Sequence, residues 1–148
     1  MSESYAQRFA SRIRDDITQM GRHVIGVGGE PSFTYTIGHL FVGKPDLIMV
    51  GTSPQIATTI FNHIGSNLEL SERLVHLNEG DLLDIGGQFP LKIHVCGARV
   101  RAEYTVQAGQ FYRMESYKVL QLIVPDMTGR YPDDPECDQR FLAGAAID

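Results

Sequence analysis

Two side chains at the ends of apolar runs have the chemistry to move protons or hold a polar ligand. His39 closes Phe33-Thr34-Tyr35-Thr36-Ile37-Gly38, and Asp126 follows Leu120-Gln121-Leu122-Ile123-Val124-Pro125. An imidazole and a carboxylate that meet in space can serve as general acid and base. Polar groups flank both: the hydroxyls of Tyr35 and Thr36, the amide of Gln121, the guanidinium of Arg130 and the ring of Tyr131. Arginine suits a carboxylate or phosphate, and tyrosine rings suit stacking on a base. The expected ligand-binding set is therefore Tyr35, Thr36, His39, Gln121, Asp126, Arg130 and Tyr131. The simpler structural roles are core packing for Tyr35 and an Asx turn for Asp126.

Other chemistries find little support. The histidines 23, 39, 63, 76 and 94 show neither H-x-H spacing nor an i, i+4 helical pair, so no metal site is expected. The run Asp133-Asp134-Pro135-Glu136-Cys137-Asp138 lacks the spacing and central glycine of a calcium loop. Gly26-Val27-Gly28-Gly29 precedes a proline and a strand rather than a helix, so it reads as a hairpin turn and implies no cofactor. No G-x-S-x-G elbow occurs. The net charge of −5 argues against broad binding to nucleic acid or anionic membrane. The first residues lack the apolar stretch of an export signal, so a cytoplasmic protein is expected, with Cys96 and Cys137 as reduced thiols.

The elements that must position these groups follow from periodicity. Ser4 and Gln7 form a capping box for a helix over 5–20, stopped by Gly21. Strands are expected at 23–27, 33–37 and 46–50, the last nearly all apolar and so central. Ser53-Pro54 starts a second helix. Residues 66–80 resist assignment, with short anchoring contacts from Leu68, Leu70, Leu74 and Val75. A short strand near 81–87, a strand over 91–96, a helix within 102–113 and a strand over 117–124 complete the order. Residues 133–148 are acidic, then small and apolar, and are expected to fray. The fold class is α+β over 1–148 as a single domain: a mostly antiparallel sheet, strongly curled or a split barrel as a variant, with two to three packed helices.

Three blocks in order carry a resemblance: Phe33 to Gly38, Lys44-Pro45-Asp46-Leu47-Ile48-Met49-Val50-Gly51, and Val119 to Asp126 with Gly129-Arg130-Tyr131-Pro132. With Phe61-Asn62 between them, residues 21–133 resemble a bacterial and phage family known as domain of unknown function four-two-six-two. Many members of that family carry tryptophan where this chain has Val124 and Asp133, and this chain has none. The family name carries no activity, so the resemblance implies a shared fold rather than a function.

The expected function is a small, non-catalytic protein that binds a small polar, nucleotide-like ligand. The company the family keeps suggests one version, a phage-type protein that sequesters a signal nucleotide. The first alternative is a hydrolase with Asp126 and His39 as general acid and base. The second is a protein-interaction module, an inhibitor or immunity factor whose acidic tail meets a basic partner. A homo-oligomer that hides a strand edge is also expected.

Overall fold

Ser4 accepts from the Gln7 N–H and its own N–H donates back to the Gln7 side chain, so helix α1 (Tyr5–Met20) starts on a complete capping box. Gly21, at φ 85°, closes it in the left-handed conformation that glycine adopts at least cost. In the computed structural model, which describes residues 4–114 and 116–148, six strands follow. They are β1 (His23–Val27), β2 (Phe33–Ile37), β3 (Asp46–Val50), β4 (Leu82–Leu83), β5 (Leu91–Val95) and β6 (Val119–Ile123).

The strand order is β1-β2-β3-β6-β5-β4. Every pair is antiparallel except β3 with β6, where Ile48 lies beside Gln121. The sheet is thus two antiparallel halves joined at a parallel seam. The sheet is mostly antiparallel and not closed, and with the helices packed on it the fold is α+β. The nearly all-apolar run at 46–50 is central, as its composition requires, because both of its faces are covered.

Alternation along the strands sorts the core into two layers. Leu47, Met49, Leu120 and Leu122 pack against α2 (Pro54–Ser66) and α3 (Leu68–Arg73). Ile48, Val50, Val119 and Tyr35 pack against α1, α4 (Ala98–Glu103) and α5 (Val106–Tyr112). Five α-helices are present among the described residues, against two or three expected. The extra ones are short. The unassigned stretch 66–80 yields α3 on an Asn67 cap, with Leu70 and Leu74 buried and Leu68 and Val75 exposed. The single helix expected within 102–113 is two, α4 and α5, broken at Tyr104-Thr105.

At the end of the chain a 3₁₀ turn over Gln139–Gly144 leads into a segment bonded to Gln121 and His94. No helix among the described residues is long and apolar enough to cross a membrane.

Candidate functional site

The polar groups converge at the end of the sheet where β2 stops and β3 starts. Gly38 takes φ 123° there and turns the chain into a 3₁₀ turn, His39–Val42. A side chain on Gly38 would meet Ile17 at 2.8 Å, so α1 sits tightly on this corner. Asp46, the first residue of β3, is buried. Its Oδ1 accepts from the Thr36 hydroxyl at 2.7 Å and the His39 N–H at 3.3 Å, and its Oδ2 accepts from the Tyr112 hydroxyl at 2.6 Å. Thr36 in turn accepts from the Leu47 N–H, and Tyr112 from the Gly38 N–H. Burial without a cation raises the Asp46 pKa to about 7, against the opposing pull of the Tyr112 and Thr36 bonds.

His39 is held in one neutral tautomer. Nδ1–H donates to the Pro45 carbonyl at 2.8 Å, leaving Nε2 to accept from Arg22 Nε at 3.2 Å. Burial, with the charges of Arg22 and Lys44 nearby, lowers its pKa to about 4. The Arg22 guanidinium also donates from Nη1 to Asn62 Oδ1 of α2 at 2.9 Å. It lies against Gly65, where any Cβ would fall 1.9 Å from Nη2, so glycine makes the room this guanidinium fills.

Arg22 is half-buried, and both of its acceptors are neutral. Among the described residues no carboxylate lies within ion-pair distance of it. Lys44, whose Nζ donates to Ser71 Oγ, and exposed Lys118 likewise have no carboxylate partner among the described residues. These two lysines line a pocket of about 290 Å³ with Leu40, Pro45, Leu74 and Tyr117 as walls. The corner is therefore cationic, in a chain whose net charge is −5.

The seven residues expected to share a site are spread over the sheet. Thr36 and His39 meet at Asp46. Tyr35, 1 % exposed, accepts from the Gln107 N–H of α5 at 3.3 Å, and burial pushes its pKa up to about 12. Gln121 is buried in mid-sheet and spends its amide on residues 144–147. Asp126, Arg130 and Tyr131 follow β6, whose parallel pairing with β3 carries them to the opposite end of the sheet. At about 3.3 Å per residue, the length of β3 alone separates the ends by roughly 13 Å.

At that far end Asp126 organises a turn. It accepts the N–H groups of Thr128, Arg130 and Asp138 and the Thr128 hydroxyl. These donors, led by the Asp138 N–H, hold its carboxyl well below the ordinary range. Arg130 pairs with Glu136, and the Tyr131 hydroxyl donates to the Pro90 carbonyl. His39 and Asp126 thus lie at opposite ends of the sheet, each with its polar atoms in protein bonds.

Sequence reasoning missed Arg22, Asp46, Asn62 and Tyr112. Only Asp46 left a signal: an ionisable residue opening a strand apolar enough to be central must be buried and must find donors.

Residues 16–138 match the family described as "Domain of unknown function (DUF4262)". No curated protein and no solved structure matches the chain.

Proposed function

The chain belongs to this family, whose description carries no activity, and from the geometry we propose that it binds a small polar ligand through an anionic group, without catalysis. The observation that carries this reading is Arg22: a half-buried guanidinium, fixed by two neutral acceptors, with no carboxylate partner among the described residues. A desolvated cation is costly when unpaired, and its remaining N–H groups suit an oxyanion. Lys44 and Lys118 add positive charge beside a pocket whose apolar walls, Leu40 and Leu74 among them, suit a ring. Arg22 does not itself line that pocket, and the two are linked through His39, which feels the charge of both Arg22 and Lys44; a nucleotide-like ligand suits the pocket, with phosphate toward the lysines and base toward the apolar walls. The absence of catalysis rests on commitment: Asp46, His39 and Thr36 each spend their polar atoms on protein partners.

The test is a titration followed through the Arg22 Nε–H resonance, first with inorganic phosphate and then with adenosine monophosphate, at constant ionic strength. A saturable shift, tighter for the nucleotide and weakened at least ~10-fold by Arg22→Gln, is expected. A flat titration, or equal affinity in the variant, would overturn the proposal.

A further inference from the structure

Most of the sheet is covered by helices, but part of one face is covered by the end of the 3₁₀ turn Gln139–Gly144 and the irregular residues 145–148 after it. Gln121, 0 % exposed at the centre of β6, has three hydrogen bonds, all to the backbone of that segment. Its Nε2 donates to the Gly144 and Ala145 carbonyls at 3.2 and 2.9 Å, and its Oε1 accepts from the Ile147 N–H at 2.9 Å. His94, beside Gln121 on β5, adds Nε2 to the Ile147 carbonyl at 2.8 Å and to Asp148 at 3.1 Å, while its Nδ1 faces Glu79. The seat also demands small residues. A Cβ on Gly51 would fall 2.8 Å from that of Ala143, and one on Gly144 would fall 3.2 Å from the Val50 carbonyl. Ile147 closes the segment by packing on the core.

This is how an extended peptide is recognised: side-chain amide and imidazole groups read its backbone, close packing selects small residues, and one apolar side chain is buried. The segment forms no strand of the sheet, so side-chain hydrogen bonds and packing, not a strand ladder, hold it there. We propose that this groove is a peptide site, filled in cis by residues 143–148 and able to take the same segment from a second copy of the chain. The contacts made in trans are identical to those made in cis, the condition under which exchange between protomers costs least. The site is independent of the cationic corner, and either can fail alone.

The test uses the full chain with its own segment disabled. A Cβ at Gly144 would already lie 3.2 Å from the Val50 carbonyl, so the branched side chain of Gly144→Val should crowd it and loosen the segment while leaving Gln121 and His94 in place. A fluorescent peptide Ala-Gly-Ala-Ala-Ile-Asp should then bind the Gly144→Val chain at least ~10-fold tighter than the unaltered chain, whose groove is occupied. Adding Gln121→Leu should abolish binding, and adding His94→Gln should weaken it. No anisotropy change with the Gly144→Val chain, affinity equal to that of the unaltered chain, or binding that survives Gln121→Leu would overturn the proposal.

Discussion

Asp46 and Asp126 both expose little surface and stand at opposite ends of one sheet, yet their ionisation is pushed in opposite directions. Asp46 lies deep enough for desolvation to be the leading cause, whereas at Asp126, near the surface, the donors outweigh it. The donors differ as well. Asp126 faces three backbone N–H groups, which can only donate, so a protonated carboxyl there would leave donors unpaired. Asp46 faces chiefly two hydroxyls, Thr36 and Tyr112, which can accept as well as donate. Its corner therefore tolerates a neutral carboxyl, and burial raises its pKa to about 7. The far end is a rigid turn built on a fixed anion. The near end is an adaptable hydroxyl network beside Arg22, which has no carboxylate within ion-pair distance among the described residues.

The harshest test of this contrast is Asp126→Ala, which strips the acceptor from three backbone donors. It should give the largest fall in denaturation midpoint of any substitution considered. Because the folded state holds this carboxyl below its ordinary range, its stabilisation is present above about pH 4 and lost as pH falls. Asp126→Asn should accordingly flatten the acid limb of stability against pH.

The near end makes a prediction of the opposite sign. Asp46 is raised to about 7, so its contribution is complete below about pH 4 and lost as pH rises through about 7. His39 is lowered to about 4, so its contribution is complete above about pH 6.5 and lost as pH falls through about 4. The two slopes oppose each other over most of the same window. Asp46→Asn should unmask a rise in stability from pH 4 to 6.5, and His39→Gln a decline from pH 4 to 7, each of order 2 kcal/mol. Urea titrations at a series of pH values would read both. Equal slopes in the two variants would break the account of the corner.

Smaller effects sharpen it further. Tyr112→Phe removes one donor from Asp46 and the acceptor of the Gly38 N–H, and should cost about 1–2 kcal/mol in urea denaturation. Thr34 supplies the reverse case. Its Oγ1 is buried with no hydrogen-bond partner among the described residues, so Thr34→Val should stabilise by about 1 kcal/mol in the same assay.

Much of this architecture was legible because local rules govern it. The cap at Ser4, the stop at Gly21 and the apolar run of β3 each reported their element directly. The site was legible only in halves. Thr36 and His39 do share a polar centre, but its hub, Asp46, and its outer partners, Arg22 and Tyr112, come from separate parts of the chain. Grouping Asp126, Arg130 and Tyr131 with them required β6 to end beside His39. The parallel pairing of β6 with β3 sends it the other way, and nothing within either strand encodes that direction. Gln121 shows the same limit. Its neighbours mark it as a central strand residue, while its bonding partners lie more than twenty positions away.

The most direct measurement is native mass spectrometry of the protein purified from its own host, followed by denaturation and identification of what is released. The account predicts a stoichiometric small anion on the unaltered chain, absent from Arg22→Gln prepared in parallel. A bare chain, or a molecule retained equally by both, would contradict it.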